Sequence, residues 1–270
     1  MGGFYLVLWK RIASAIIGIP LLVVIVYQGG WLMTTAVAIL ALIGYREYHV
    51  MVRRMDHRPP LWIAYPLVVM FVLAAHHGGV GLTWLIALAT LAILTHFTIT
   101  FPEGNPQDGA IAVTGALMTG WLLGHLILLR QLPSGLEALL ITFFITWATD
   151  TGAYFAGRAF GKRPLAKQLS PKKTLEGSLG GIVLAIIIGV TFGSLWFPNV
   201  DLSLWIVLSL ILSIVGQFGD LAESALKRMA NIKDSGTLIP GHGGVLDRFD
   251  SILWTAPVAY YFFQIIEVWL

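Results

Sequence analysis

Long, uninterrupted apolar runs limit the possible fold of this chain more than any other feature. Several of them reach the ~20 residues that a helix needs to cross ~30 Å of hydrocarbon. Asp, Glu, Lys and Arg make up only 11% of the 270 residues, against about 25% in soluble globular proteins. The sequence therefore predicts an all-α polytopic membrane protein rather than a soluble domain.

The apolar runs, divided at polar residues, Gly and Pro, predict a bundle of about nine transmembrane helices. We divide the chain into N-terminal transmembrane helices, 1–135, and a C-terminal transmembrane region, 136–270, which carries charged loops at 158–176 and 227–250. We expect the first run to be a retained helix rather than a cleaved signal peptide. The predicted spans are 12–28, 31–52, 61–76, 82–100, 110–130, 135–157, 177–197, 202–226 and 251–269.

Basic residues set the expected orientation of these helices. With the N-terminus in the cytoplasm, all of the 17 Lys and Arg residues except Arg130 fall on the cytoplasmic side, as positive-inside topology requires. Nine spans then place the C-terminus outside and the two charged loops in the cytoplasm, which suits a multi-pass protein of the cell (inner) membrane. The net charge of +3 follows from this topology, so we expect no nucleic-acid partner. The chain has no Cys, which excludes disulfides, thiolate metal sites and cysteine nucleophiles.

Acidic residues collect around the two cytoplasmic loops. Half of the 14 Asp and Glu residues lie in or beside them, including Asp150 and Asp220, which lie inside apolar stretches. A carboxylate in a spanning helix costs ~2.5–3.5 kcal/mol on insertion scales, so such acids are candidates for a functional site. Asp220, Glu223 and Lys227 are spaced three and four residues apart and share a helix face. A simple i, i+4 ion pair between Glu223 and Lys227 is the alternative interpretation.

Carboxylates beside basic residues and Gly-rich turns suit a divalent cation that handles phosphate groups. Mg2+ prefers oxygen ligands and is usually completed by water and substrate phosphates. In Pro240–Gly244 the small residues would let backbone N–H groups approach an anion, and Asp247 and Asp250 follow one turn apart at the start of the last helix. A connecting turn with acids that stabilise the helix dipole is the alternative. Residues 170–173, Ser-Pro-Lys-Lys, predict a helix N-cap with Pro at the first helical position.

Three segments together resemble a known family. Residues 224–250 carry the pattern S-x-L-K-R-x4-K-D-x-G-x2-I-P-x-H-G-G-V-x-D-R-F-D. This spacing resembles the signature of the phosphatidate cytidylyltransferases, also called CDP-diacylglycerol synthases. Residues 147–154, W-A-T-D-T-G-A-Y, and residues 170–177, S-P-K-K-T-L-E-G, resemble further segments of that family. The first 135 residues resemble it only in being apolar and multi-spanning.

The resemblance implies transfer of a cytidylyl group from CTP to phosphatidic acid at the cytoplasmic membrane face, giving CDP-diacylglycerol and pyrophosphate. It makes 136–270 the catalytic region, implies Mg2+ as the cofactor, leaves a second cation open and suggests a homodimer in the lipid bilayer. The resemblance and the local chemistry together name the expected site residues. The expected metal ligands are Asp220 and Asp247, then Asp150, Glu223 and Asp250; the expected catalytic residues are Asp220, Asp247, Lys227 and His242; the expected phosphate-binding residues are Lys172, Lys173, Arg228, Lys233, Gly243, Gly244 and Arg248.

Three other functions fit parts of the pattern. A CDP-alcohol phosphotransferase would need D-G-x2-A-R, but Asp108-Gly109 is followed by Ala-Ile-Ala-Val. A relative that uses CTP with another lipid acceptor, such as a polyprenol kinase or an archaeal-type cytidylyltransferase, would share the nucleotide, and the complete signature argues against it. An ion-coupled transporter would place acids at mid-membrane, whereas the outer half carries only peripheral acids such as Glu137 and Asp201.

Overall fold

The computed structural model describes residues 20–236 and 243–267, together with residues 16 and 18. Within these residues the regular structure is helical apart from one short hairpin, and residues 20–28 form part of a first helix. The longer elements in chain order are α1 (Gly30–Arg53), α2 (Leu61–His76), α3 (Leu82–Thr100), α4 (Pro106–Ala116), a π-helical segment (Leu117–Leu122), α5 (Leu123–Gln131), α6 (Gly135–Phe160), β1 (Pro164–Ala166), β2 (Ser170–Thr174), α7 (Leu175–Trp196), α8 (Leu202–Met229) and α9 (Leu246–Glu267).

The helices confirm the expected class of a mainly α-helical membrane protein. Within the described residues, five stretches are long and apolar enough to cross a membrane: α1, α3, Pro106–Gln131, α7 and α8. The predicted spans from 31–52 onward correspond one to one to these helices together with α2, α6 and α9, while the span 12–28 lies partly outside the described residues. The count of nine spans and their orientation stay predictions.

Residues 164–174 form an antiparallel hairpin, which differs from the expected helix start. Pro164 pairs with Thr174 and Ala166 with Ser170. The N-cap predicted at Ser170 is wrong because residues 170–174 form β2; α7 begins at Leu175, where the Thr174 side chain accepts a hydrogen bond from the Gly177 N–H at 3.1 Å. Proline, which lacks an N–H donor, is as compatible with an edge strand as with a helix start, so the Ser-Pro pair was ambiguous.

The chain divides into two compact units. One consists of Met1–Gln131 and Met229–Arg248, and the other of Leu132–Arg228 and Phe249–Leu270. The break after Gln131 lies close to the division expected at residue 135. Residues 229–248, however, group with the N-terminal helices and not with the C-terminal region, so the signature segment contributes residues to each unit.

In the first unit α2 is the central helix. It packs against α1, α3, α4, the π-helical segment and α5, and Val68, Phe71 and Val72 are completely buried. A Cβ atom on Gly120 would lie 2.8 Å from the Val68 carbonyl oxygen, so this contact between the π-helical segment and α2 has room only for glycine.

In the second unit α6 and α7 pack backbone to backbone. A Cβ atom on Gly181 would lie 2.7 Å from the Thr149 carbonyl oxygen, and one on Gly177 would lie 2.8 Å from that of Ala153. Because lipid is as apolar as a leucine side chain, helices in a bilayer associate largely through such close packing of small residues. The buried face of α7 carries a small residue at every fourth position: Gly177, Gly181, Ala185, Gly189 and Gly193.

The substitution Gly181→Ala should therefore weaken the second unit. Its new methyl group meets a backbone oxygen that cannot rotate away, and such overpacking typically costs about 1–3 kcal/mol. Val183→Ala is the control on the same helix, because Val183 is 58% exposed, and its effect should stay within about 0.5 kcal/mol. Thermal unfolding of the purified protein in detergent measures both. Equal midpoints for the two variants would show that the backbone contact does not limit stability.

Candidate functional site

Asp150 and Asp220 line one polar pocket in the second unit. The pocket has a volume of about 440 Å³ and lies among α6, the hairpin, α7 and α8. Two acids and three bases line it: Asp150, Asp220, Arg158, Lys172 and Lys173. Four of these residues were expected from the sequence, and Arg158 was missed although it lies in the charged segment that follows α6. The structure thus brings acids and bases from separate segments to one place.

The hairpin places a lysine beside Asp220, the more buried of the two acids of this pocket. Lys173 Nζ forms an ion pair with Asp220 Oδ2. Successive side chains on a strand point to opposite faces, and correspondingly Lys172 is exposed whereas Lys173 is half-buried. The strand conformation of residues 170–174, rather than the expected helix, is therefore what places Lys173 beside Asp220.

Asp250 brings a third carboxylate close to Asp220. α8 and α9 approach each other closely at Gly219, where a Cβ atom would lie 2.5 Å from the Asp250 carbonyl oxygen. Asp250 precedes the stretch 251–269 that is predicted to span the membrane, and burial, followed by the negative charge of Asp220, raises the pKa of Asp250 to about 7. Both burial and the neighbouring negative charge disfavour the ionised Asp250 carboxylate, and a bound cation would offset both effects.

These carboxylates could supply some of the ligands of a cation, with a substrate supplying the others. Among the described residues, no three His, Cys, Asp or Glu side chains converge closely enough to hold a metal ion by themselves. Mg2+ is usually bound by one or two carboxylates, with water and substrate phosphates as the other ligands. Asp220 and Asp250 offer such a pair of oxygen donors, so the residues present fit a magnesium ion that arrives with a phosphate compound.

Glu223 and Lys227 form an i, i+4 ion pair, which was the alternative to a role of Glu223 in metal binding. Lys227 Nζ lies 2.5 Å from Glu223 Oε2, and both side chains are largely buried. Neither residue lines the polar pocket. The Arg228 Nε–H donates to the Leu169 carbonyl oxygen at 3.2 Å, so this expected phosphate-binding residue joins the end of α8 to the turn of the hairpin.

Asp247 lies in the first unit, where it holds the loop that precedes α9. Asp247 Oδ2 accepts hydrogen bonds from the Ser235 N–H at 2.8 Å and the Gly244 N–H at 2.9 Å. The Gly244 N–H, which was expected to face a phosphate, is therefore directed at a carboxylate. Gly243 has a φ of +86° and a Cβ atom there would lie 2.7 Å from Asp247 Oδ2, which explains the glycine.

Three further expected residues occur in or near this loop. Lys233 and Arg248 are exposed. This exposure is compatible with the binding of a soluble phosphate compound that was expected of them. His242 lies outside the described residues, which break between 236 and 243. The structure therefore places Asp247, Lys233 and Arg248 with the first unit and Asp150, Asp220 and Asp250 with the second.

Glu47 is a second residue, after Arg158, that was not expected from the sequence. It lies on α1, is only 7% exposed, and accepts hydrogen bonds at 2.9 Å from the N–H groups of Val245 and Leu246. The Ser235 hydroxyl lies between two carboxylates, 3.0 Å from Glu47 and 2.9 Å from Asp247. Glu47 thus satisfies free N–H groups at the start of α9. Glu47 lies inside the predicted span 31–52. Because a carboxylate in a spanning helix is costly, its position alone could have marked Glu47 as a candidate residue, as it did for Asp150 and Asp220.

The sequence is similar to known proteins over nearly its whole length. A model of the cytidylyltransferase family matches residues 9–266. The phosphatidate cytidylyltransferases of Synechocystis sp. and Staphylococcus aureus are each 34% identical to the chain, over 94% and 92% of it and 95% and 96% of their own length. That of Bacillus subtilis is 37% identical over 72% of the chain and 75% of its own length. The similarity therefore includes the N-terminal half, in which no motif of the family was recognised.

Replacing Glu47 with Ala should loosen the loop before α9. The substitution leaves two N–H groups without their acceptor, which costs about 1–3 kcal/mol when the groups are buried. Trypsin cleavage after the exposed Lys233 should then be about tenfold faster, because cleavage of a locally opened loop follows the population of the open form. Glu103→Ala, at an exposed acid of the same unit, should cleave at the wild-type rate. Equal rates for Glu47→Ala and wild type would contradict the anchoring role.

Proposed function

The chain belongs to the cytidylyltransferase family, and on this premise we propose that it acts as a phosphatidate cytidylyltransferase. It transfers the cytidylyl group of CTP to phosphatidic acid and releases pyrophosphate, forming CDP-diacylglycerol. The observation that carries the proposal is the polar pocket of the second unit, where Asp150, Lys172 and Lys173 from two family-like segments meet Asp220. Only 11% of the residues of this chain are charged. Because charged groups are costly in a membrane protein, their concentration in one pocket indicates that the pocket binds a charged ligand.

The proposed reaction is an in-line displacement at phosphorus. A phosphatidate oxygen attacks the α-phosphorus of CTP, the new oxygen–phosphorus bond forms, and the bond from the α-phosphorus to the bridging oxygen of the β-phosphate breaks. Pyrophosphate leaves with the electrons of that bond. The attacking phosphate is ionised near neutral pH, so the protein need not supply a strong base. Its main tasks are to position the two substrates and to neutralise their charge.

The residues of the pocket are suited to these two tasks. Lys172 and Arg158 are exposed cations that can bind phosphate oxygens, and Lys173 is held in place by Asp220. Asp220 in the pocket and its neighbour Asp250, which does not line the pocket, would hold Mg2+, with Asp150 as the further candidate. When bound, Mg2+ supplies positive charge that separates the phosphates from these carboxylates and stabilises charge at the reacting phosphorus.

Other roles stay predictions of the family resemblance. The Asp247 carboxylate is oriented by Ser235 and Gly244, and hydrogen bonds of this kind commonly support a metal-binding carboxylate. The catalytic roles of Lys227 and His242 and the homodimer likewise stay predictions that rest on the family resemblance.

We further propose that the pocket opens to the cytoplasm from the cell (inner) membrane. The distribution of Lys and Arg supports this orientation. A soluble, highly charged nucleotide also has to reach the reacting centre without entering hydrocarbon, which places the polar end of the site at a membrane surface.

Pyrophosphate release by the purified protein tests the reaction. Release should require CTP, phosphatidic acid and Mg2+ together, and Asp220→Asn and Asp250→Asn should each lower it by about 100-fold, since a bound metal contributes several kcal/mol to such a transition state. Asp201→Asn, at an exposed acid that lines no part of the pocket, is the control and should keep the wild-type rate. Release of CDP instead of pyrophosphate would favour a CTP-dependent kinase, and unchanged rates in both the Asp220 and the Asp250 variant would disprove the site.

Metal removal tests the magnesium part separately. Activity should disappear in excess EDTA and return when Mg2+ is restored, because two carboxylates without a completed coordination shell hold the ion weakly. The Mg2+ concentration for half-maximal activity should be higher for Asp250→Glu, which displaces the carboxylate by one methylene group, than for wild type. Full activity in EDTA would exclude the metal while leaving the reaction itself intact.

A further inference from the structure

An apolar groove lies on the same helix pair as the polar pocket. It has a volume of about 310 Å³ and lies between α6 and α7 in the second unit. Its lining is almost entirely hydrophobic and aromatic: Phe144, Trp147, Ala148, Thr151, Leu184, Ile188 and Phe192. This volume is within the range of pockets that bind small ligands, about 300–1,000 Å³.

The groove and the pocket follow one another along the same face of α6. Phe144, Trp147 and Thr151 line the groove, and Tyr154 and Arg158 line the pocket. These five positions are separated by three, four, three and four residues, so they form one continuous stripe on a single helix face. The face changes from apolar to charged just after Thr151.

The same change occurs along α7 in the opposite chain direction. Gly177 and Ser178 line the polar pocket near the start of α7, whereas Leu184, Ile188 and Phe192 line the groove further along. Leu184 to Phe192 covers about 12 Å at ~1.5 Å per residue. That length is most of one leaflet, since the hydrocarbon core is ~30 Å thick. The helix pair therefore presents a charged end followed by about one leaflet of apolar groove.

We propose that the groove holds an acyl chain of phosphatidic acid whose phosphate lies in the polar pocket. The inference rests on the proposed function and adds where the lipid part of the substrate binds. A ligand that fills both cavities must have an anionic group at one end and a hydrocarbon chain next to it. Arg158 and Lys172 are exposed at the pocket end and supply the positive charge that a lipid phosphate requires.

The walls of the groove are fixed by aromatic packing. The rings of Phe144 and Phe192 lie 4.8 Å apart between their centroids, and Trp147 stacks on Phe143 at 5.5 Å. Ala148 is small and buried, so α6 contributes little bulk to the groove at that position. Side chains that are already packed against each other lose little freedom when a ligand binds, which favours binding of a hydrocarbon chain in the groove.

Two pairs of neighbouring substitutions test the proposal. Ile188→Trp and Leu184→Trp place a large side chain in the groove. Ile187→Trp and Val183→Trp place the same side chain one residue earlier, at positions that are 54% and 58% exposed and do not line the groove. The Michaelis constant for phosphatidic acid is measured in detergent micelles with dioleoyl and with dihexanoyl substrate, together with that for CTP.

We expect each groove variant to raise the Michaelis constant for dioleoyl phosphatidic acid about tenfold, which corresponds to the loss of about two buried methylene groups. The constants for dihexanoyl phosphatidic acid and for CTP should stay within about twofold of wild type, which also shows that the variants are folded. The two control variants should resemble wild type with all substrates.

Two results would overturn the inference in distinguishable ways. Equal changes in groove and control variants, or equal changes for long and short chains, would show that the groove holds only bulk lipid, while the reaction would stand. Wild-type protein that forms no CDP-diacylglycerol from either lipid would remove the proposed function, and with it the acyl-chain site.

Discussion

The backbone contact between α6 and α7 is the interaction on which the pocket and the groove depend. Gly177 and Gly181 let the two helices approach until carbonyl oxygens of α6 lie where side chains would otherwise be. At this short separation, side chains beside the line of contact, such as Trp147 of α6 and Leu184 of α7, line one groove together. A larger residue on the line of contact would separate the helices and widen both cavities at once. The glycines thus act on the site without touching a ligand.

The two units accommodate their buried or half-buried carboxylates by different means. Glu47 accepts hydrogen bonds from N–H groups at the start of a helix, where the helix dipole favours a negative charge. Asp220 is instead neutralised by Lys173 from the hairpin. The Glu47 arrangement uses fixed backbone groups and suits an anchor. The Asp220 arrangement uses a flexible side chain that can move when a ligand brings new charges, which suits a binding site.

The sequence predicted the helices well because few backbone conformations are stable inside the hydrocarbon of a membrane. Every backbone group must be paired within the membrane, so an apolar run of sufficient length becomes a helix. The hairpin was not predictable in the same way, because Ser170-Pro171 is compatible with a helix start and with an edge strand, and the choice depends on the partner strand. Asp150, Asp220 and Lys173 were recognised from local pattern. The bonds of Glu47 to Val245 and Leu246 join residues 198 and 199 positions apart, and no local pattern reports such a contact.

Within the part of the chain that the structure describes, no complete set of metal ligands converges, and this suits the proposed reaction. A cage of protein carboxylates would bind Mg2+ whether or not a nucleotide was present, and would leave few coordination positions for phosphate oxygens. Asp220 and Asp250 would supply only part of a coordination shell, and burial, followed by the negative charge of Asp220, raises the pKa of Asp250 to about 7. Both effects make a charged Asp250 less favourable as long as no cation is bound nearby. If Mg2+ binds there together with a phosphate compound, as we propose, each would favour the binding of the other. The full positive charge would then be assembled only when the substrate that needs it is present.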